Sequence, residues 1–137
     1  MSLVRFGVSL EKDLLKRFDM HCRQNAYSNR SEAIRDMIRE IIVEEEWTGS
    51  NAAVTGVISL VYDHHKRELV DKLLNIQHDH QRIIVASQHI HLDHDNCLEV
   101  IVVKGSSKDV QGLAAELRAT KGVKHGELVR TTTGKDM

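Results

Sequence analysis

The sequence predicts an α+β protein built in two parts, a strand followed by two helices and then a βαββαβ unit. Apolar residues alternate with polar or small ones over residues 4–10, and they recur at intervals of three and four over residues 11–46. From residue 53 to 131, strand-like and helix-like patterns follow in the order strand, helix, strand, strand, helix, strand. Period-two spacing is typical of half-buried strands and three-four spacing of amphipathic helices, so the chain combines both classes of element.

The first part begins with one predicted strand, in which Arg5, Gly7 and Ser9 face away from the apolar positions. A helix is predicted over residues 11–25, and a second begins at Asn29, a favourable cap, with Glu32 three residues later. A lone strand leaves its backbone groups unpaired, and about 45 residues bury too little apolar surface to fold alone. We therefore expect this strand to pair with its copy in a second chain.

The second part has predicted strands at residues 53–62, 82–92, 97–104 and 123–131, with helices at 65–78 and 107–121. This order is that of a ferredoxin-like fold. A short polar segment near residues 47–51 predicts a linker between the two parts. The predicted domains are residues 1–47, a linker at 48–52, and residues 53–137.

The composition and charge of the chain limit the classes of protein to which it can belong. With 41% hydrophobic and 28% charged residues, the chain is expected to be globular and soluble. No apolar run reaches the roughly 18 residues of a membrane span, and residues 1–10 lack the apolar core of a signal peptide, so a cytoplasmic protein with no membrane partner is expected. The net charge of −1 argues against a uniformly basic nucleic-acid binder. Residues 1–39, however, hold eight Arg or Lys against five Asp or Glu, a surplus that doubles in a dimer.

Residues 77–97 hold five histidines and one of the two cysteines, which predicts a transition-metal site. His89 and His91 are two apart on a predicted strand, so both imidazoles should leave the same face. Cys97 follows six residues later, and His78 lies at the end of the preceding helix, so His78 must reach the site through folding or from another subunit. A lone His-x-His pair is more often hydrogen-bonded than metal-bound, but three imidazoles and a thiolate make a complete ligand set.

The ligand set leaves the metal and the function open. It would satisfy tetrahedral Zn²⁺ or square-planar Ni²⁺ and Cu²⁺, and Cu²⁺ would have the highest intrinsic affinity. An enzyme is not expected, because four protein ligands close the coordination shell and no catalytic-base motif accompanies them. A metal buffer would explain the site but would leave the N-terminal part without a role.

The segment Ser-Asn-Arg-Ser-Glu-Ala-Ile-Arg at residues 28–35 resembles the opening of the second helix in ribbon-helix-helix repressors. The resemblance implies a dimer whose two-stranded ribbon lies in the DNA major groove and reads bases with Arg5, Gly7 and Ser9. Helix-two N-termini, with Asn29 and Arg30, would lie against phosphates. At Gly7 the chain departs from relatives that carry a base-reading threonine.

This N-terminal part, joined to a ferredoxin-like tail with this histidine and cysteine spacing, resembles the NikR family of nickel-responsive repressors over essentially the whole chain. The resemblance implies an ACT-like tail, a homotetramer that is a dimer of dimers, and double-stranded operator DNA as partner. It also implies one Ni²⁺ per subunit, on His89, His91 and Cys97 with His78 from a neighbour, in a repressor of nickel uptake. Sensing of Cu, Co or Zn on the same scaffold is the alternative. The resemblance also implies a loop that becomes ordered with metal and touches the DNA backbone, with Tyr62, His64, Lys66 and Arg67. It implies that the Glu99 carboxylate supports the metal site. Glu32 and Asp36 would form a second, weaker cation site. No role is matched for His65, His80, His94 and His125.

Overall fold

The computed structural model describes residues 2–49, 52–135 and 137. The chain divides into two compact units, Met1–Ile41 and Ile42–Met137, and the division lies inside the second helix, Arg30–Thr48 (α2). Of the predicted linker, Ser50 and Asn51 lie outside the described residues. The domain limits 1–47 and 53–137 stay predictions. No helix among the described residues combines the length and apolar character that crossing a membrane requires.

The first unit contains the helix Lys12–Gln24 (α1) and the start of α2, close to the two predicted helices. Asn29 caps α2, because its Oδ1 accepts a 2.9 Å hydrogen bond from the Glu32 backbone N–H. The Glu32 carboxylate pairs with Arg35 one turn later. Of the predicted cap, the hydrogen bond to Asn29 is therefore present. The Glu32 side chain pairs with Arg35 instead of taking part in the cap.

Between the two helices the chain turns at Ala26, whose φ of 60° lies in the left-handed region. The Tyr27 backbone N–H donates to the Cys22 carbonyl at 2.9 Å and closes the turn. Cys22 is buried, as expected for a small apolar residue on the inner face of α1. The geometry of the turn brings the Tyr27 hydroxyl to the Asp36 carboxylate on α2.

Residues 2–10 have no regular secondary structure in the single chain, and all of them are exposed. The strand predicted over residues 4–10, with one buried face, is therefore not formed here; Phe6, for example, is 71% exposed. The physical reason is that a strand is stabilised by hydrogen bonds to a neighbouring strand and by burial of one face. Neither is supplied by the described part of a single chain.

The second unit contains all the remaining elements, in the predicted order. They are the strands Val54–Tyr62 (β1), Ile84–His91 (β2), Cys97–Gly105 (β3) and Val123–Thr131 (β4), the helices Arg67–Asp79 (α3) and Ser107–Arg118 (α4), and the short 3₁₀ turn Gln81–Ile83 before β2. The sheet has the order β2-β3-β1-β4, and each neighbouring pair is antiparallel. The predicted βαββαβ unit is confirmed, with β2 and β4 at the edges.

The core of this unit lies on one face of the sheet. Alternate residues of β1 and β3 are buried, and they pack with apolar residues of α3 and α4 such as Leu73, Leu113 and Leu117. Trp47, from the last turn of α2, belongs to the same core, and its Nε1 donates a 2.9 Å hydrogen bond to the Thr131 carbonyl. The residues that precede the predicted linker are thus part of the core of the second unit.

Candidate metal centre and nucleic-acid interface

The pairing of β2 with β3 places the predicted ligands side by side. His91 lies opposite Cys97, and His89 lies opposite Glu99. Because side chains alternate along a strand, His89 and His91 leave the same face, as their spacing predicted. That face also carries Cys97 and Glu99, which are buried at alternate positions of β3. The edge of the sheet therefore presents two imidazoles next to a thiol and a carboxylate.

Glu99 contacts several side chains at this edge, and only 1% of its surface is exposed. Its Oε1 accepts a 2.7 Å hydrogen bond from the Tyr62 hydroxyl, and its Oε2 accepts one of 2.9 Å from Gln77 Nε2 at the end of α3. His89 Nε2 lies 3.3 Å from Oε1. A carboxylate that receives one ring nitrogen of a histidine fixes the ring and leaves the other nitrogen to bind a metal. Here that other atom is Nδ1 of His89.

Cys97 is buried beside Tyr62, its partner on β1. Burial raises the pKa of the Cys97 thiol, the charge of Glu99 raises it further, and a hydrogen bond from the Ile90 backbone acts in the opposite direction. Burial and the hydrogen bond to Glu99 likewise raise the pKa of Tyr62. Without a cation, the thiol is held protonated. A metal that binds Cys97 must therefore displace a proton.

His64 covers this edge from the loop after β1. Its ring stacks on that of His91, with centroids 4.4 Å apart and planes inclined by 10°. Burial lowers the pKa of His64, and the neighbouring His65 and His91 lower it further, so the ring is neutral near pH 7. Its buried Nδ1 has no hydrogen-bond partner among the described residues. A neutral imidazole with an unused buried nitrogen fits a site that takes a transition metal.

The single chain does not gather the complete predicted ligand set. His78 is exposed on the last turn of α3, and the ligand atoms of His89, His91 and Cys97 are not among the described groups that lie within 4.8 Å of one another. Two other groups meet that distance. They are Asp63 with His64 and His65, and His65 with His94 and Asp95.

No role is predicted from the sequence for Asp63, His65, His94 or Asp95. A signal for their proximity was present, because residues 63–65 directly follow the first predicted strand and residues 94–95 lie two residues before the start of the third at residue 97. In an antiparallel pair the end of one strand lies beside the start of the other, and Tyr62 does lie opposite Cys97. His80 instead pairs with Glu116, with 3.0 Å between Nε2 and Oε2, and His125 is exposed on β4.

The residues predicted to contact DNA lie on the surface of their respective units. Arg5, Gly7 and Ser9 are in the exposed segment 2–10, and a Cβ added at Gly7 would meet no atom within 4 Å. Lys66 and Arg67 are exposed at the start of α3. Arg30 makes two hydrogen bonds to Asp19, of 2.9 and 3.0 Å, so in the single chain its guanidinium is already paired.

The pair predicted to hold a weaker cation lies on α2. Glu32 and Asp36 are four residues apart, so they share one face of the helix. In the single chain each has a protein partner, Arg35 for Glu32 and the Tyr27 hydroxyl for Asp36.

Comparison with known proteins gives matches over both units. Residues 55–131 match the family model described as the NikR C-terminal nickel-binding domain, and residues 4–45 match the ribbon-helix-helix protein, copG family. A relative from Nitratidesulfovibrio vulgaris, provisionally named a nickel-responsive regulator, is 54% identical over 98% of this chain and 96% of its own. One from Pyrococcus furiosus with the same provisional name is 50% identical over 100% of this chain and 99% of its own. These matches confirm the predicted fold class of a ribbon-helix-helix part followed by an α+β tail.

A likeness to a solved structure concerns the fold alone. An uncharacterized protein from Thermotoga maritima superimposes with a TM-score of 0.54 at 12% sequence identity, covering 59% of this chain and 100% of that one.

Proposed function

Because the chain belongs to the NikR family of nickel-responsive, DNA-binding transcriptional regulators, we propose that Ni²⁺ held between two of its subunits sets its affinity for operator DNA. The proposed ligands are His89, His91 and Cys97 of one subunit and His78 of a neighbouring one, with one Ni²⁺ per subunit. The observation that carries this assignment is the β2–β3 register, which sets His91 opposite Cys97 and His89 opposite Glu99. Three imidazoles and one thiolate would give Ni²⁺ a four-coordinate site.

The direction of His78 supports a ligand shared between subunits. Gln77, the preceding residue of α3, reaches Glu99 with its side chain. Successive residues of an α-helix are rotated by about 100° about the helix axis. Because Gln77 points to Glu99 of the same chain, His78 leaves α3 in a different direction, away from the site of its own subunit. A second subunit that brings its own sheet edge to this side would receive His78.

Exposed apolar residues support the proposed assembly of a dimer of dimers. In the first unit, Val4, Phe6 and Val8 are exposed, and pairing of this segment with its copy would both bury them and supply the missing ladder. In the second unit, β2 is an edge strand that exposes Val85 and Ile90. Two separate apolar surfaces, one in each unit, fit two kinds of subunit contact and hence a homotetramer.

The proposed mechanism is thermodynamic linkage. A metal that joins two subunits favours the arrangement in which it is fully coordinated, and DNA favours the arrangement in which the ribbons meet both half-sites. If the two arrangements coincide, each ligand tightens binding of the other by the same factor, typically about 1–3 kcal/mol of coupling. Lys66 and Arg67, two and three residues beyond His64, would transmit the effect to the DNA backbone. Repression of nickel-uptake genes is the proposed physiological outcome.

The direct test is DNA binding with and without Ni²⁺. A pool of randomised duplexes is selected on Ni²⁺-loaded protein, and fluorescence anisotropy then measures the Kd of the selected duplex with metal-free and loaded protein. We expect loaded protein to bind the duplex at least about fivefold more tightly, the lower end of ordinary coupling. Equal Kd values with the metal site demonstrably filled would refute nickel-dependent regulation.

Mixing of variants tests the shared site. His78→Ala and His89→Ala each remove one proposed ligand, and neither alone should bind Ni²⁺ tightly. Mixed subunits should regain some intact sites, because each variant lends the ligand that the other lacks. His80→Ala mixed with His89→Ala is the matched control, in which sites on the His80→Ala subunits stay intact without any exchange. If mixing of the first pair restored no tight binding although subunits exchange, His78 would not be a ligand supplied by a neighbouring subunit.

X-ray absorption of the loaded protein distinguishes planar Ni²⁺ geometry from the tetrahedral geometry of Zn²⁺.

A further inference from the structure

An ion pair joins the two helices of the first unit. Arg30, the first residue of α2, donates from Nε to Oδ1 of Asp19 at 2.9 Å and from Nη2 to Oδ2 at 3.0 Å. Asp19 lies on α1, so the pair connects one helix to the start of the other. The hydrogen bond from Arg30 lowers the pKa of Asp19, and the carboxylate is therefore charged near pH 7.

Two parallel hydrogen bonds fix the orientation of the Arg30 guanidinium. A single contact would let the planar group rotate about it, whereas two contacts along one edge define its plane and its direction. A guanidinium carries five N–H groups, and Asp19 accepts from only two of them. Because 58% of the Arg30 side chain is exposed, the N–H groups on the other edges are accessible to a group outside the protein.

The proposed function places Arg30 against the DNA backbone. A flexible arginine loses side-chain freedom when it binds a phosphate, and this loss weakens binding. An arginine that the folded protein already holds in place loses less. We propose that Asp19 is a positioning residue for DNA binding, which holds the Arg30 guanidinium in the orientation that contacts a phosphate. This inference rests on the proposed contact between Arg30 and DNA.

The negative charge of Asp19 acts in the opposite direction, because it repels phosphates. Water reaches both members of the pair, since the side chains of Arg30 and Asp19 are 58% and 32% exposed. Solvent and salt therefore weaken the repulsion between Asp19 and a phosphate on the far side of the guanidinium. The hydrogen bonds that orient Arg30 act at contact distance and are screened less. Replacement of Asp19 should consequently weaken DNA binding, whereas repulsion alone predicts that it strengthens binding.

Fluorescence anisotropy of the Ni²⁺-loaded full-length protein with the selected duplex, at several salt concentrations, tests the proposal. Asp19→Ala should raise the Kd about two- to tenfold, the cost of ordering one long side chain at an interface, although it removes a negative charge. The dependence of the Kd on salt should also become weaker, because Arg30 contacts a phosphate less often. Asp19→Asn keeps the size of the side chain and one acceptor, and it should raise the Kd in the same direction by less.

Asp13→Ala is the matched control. Asp13 carries the same charge in the first turn of α1, but the carboxylate that Arg30 binds is that of Asp19. Its removal should leave the Kd unchanged or lower it. An exposed ion pair contributes little to folding stability, so the circular dichroism of the Asp19 variants should match that of the parent.

A double-mutant cycle separates positioning from a structural role of the ion pair. In Arg30→Ala, the further change Asp19→Ala should not weaken binding, because the side chain to be positioned is absent. A loss that persists there would show that Asp19 acts through the packing of the helices, and would overturn the proposal. Unchanged or tighter binding in Asp19→Ala, or an equal loss in Asp13→Ala, would overturn it as well.

The outcome is distinguishable from failure of the proposed function. An unchanged Kd in Arg30→Ala would remove the phosphate contact on which the inference rests, and would leave the effect of Ni²⁺ on DNA binding as it is. All variants are compared in the same metal state. Equal Kd values of metal-free and loaded protein would therefore refute nickel-dependent regulation without changing the comparison between Asp19→Ala and Asp13→Ala.

Discussion

The Tyr62 hydroxyl donates a 2.7 Å hydrogen bond to Oε1 of Glu99, and so joins β1 to a buried carboxylate on β3. A carboxylate that is removed from water costs several kcal/mol unless it is hydrogen-bonded. Tyr62 and Gln77 supply hydrogen bonds to separate oxygens of this carboxylate, and His89 lies against the first. The same carboxylate therefore stabilises the sheet and orients a proposed metal ligand.

Tyr62→Phe should lower the free energy of unfolding of the metal-free protein by about 1–3 kcal/mol, because it leaves Oε1 of Glu99 without its shortest hydrogen bond. Chemical denaturation measures the change. The matched experiment makes the same substitution in Glu99→Gln, where the charge is absent and the loss should be smaller. An equal loss in both backgrounds would mean that Tyr62 acts through packing and not through this hydrogen bond.

The apparent affinity for Ni²⁺ should rise with pH between about 7 and 8.5, by about tenfold per pH unit. Burial raises the pKa of the Cys97 thiol, so over this range the metal-free protein holds a proton that binding must release. The gain should level off once pH exceeds that raised pKa, because the thiolate is then already present. Titration calorimetry in two buffers of different ionisation enthalpy should count about one proton released per Ni²⁺. An affinity independent of pH over this range would remove Cys97 from the ligand set.

Arg5→Ala should weaken binding of the selected duplex by about 1–3 kcal/mol and leave nonspecific binding largely unchanged, as expected for a side chain that reaches base edges. Lys66→Ala should weaken binding to all duplexes alike and lower the dependence on salt, as expected for a phosphate contact. Anisotropy with selected and scrambled duplexes separates the two effects. Should Arg5→Ala leave the ratio of the two affinities unchanged, the N-terminal segment would not be the part that reads sequence.

Asn29→Ala should destabilise the first unit by about 1 kcal/mol, because the Glu32 N–H loses the side-chain acceptor that caps α2. Thermal unfolding followed by circular dichroism measures the change. Asn29→Asp, which retains the acceptor, is the control and should remain close to wild type. A loss of equal size in Asn29→Asp would show that the amide itself, and not the cap, is what α2 requires.

Local patterns in the sequence were sufficient to predict the helices of both units and the strands of the second unit. The strand predicted at residues 123–131 coincides with β4, the Asn29 cap begins α2, and the His-x-His spacing places His89 and His91 on one face of β2. These features depend on residues a few positions apart, whose geometry is set by the local backbone. The family resemblance added the nickel response and DNA binding, which no periodicity contains.

Contacts between distant segments were decided only by the tertiary structure. The reach of Gln77 to Glu99, the burial of Trp47 in the core of the second unit, and the meeting of His65 with His94 and Asp95 all depend on strand register and helix packing. A shift of one residue in the β2–β3 register would turn both histidines to the other face of the sheet. For residues 2–10 the tertiary structure of one chain is not sufficient either. The strand predicted there requires hydrogen bonds from a second chain and does not form in the single one.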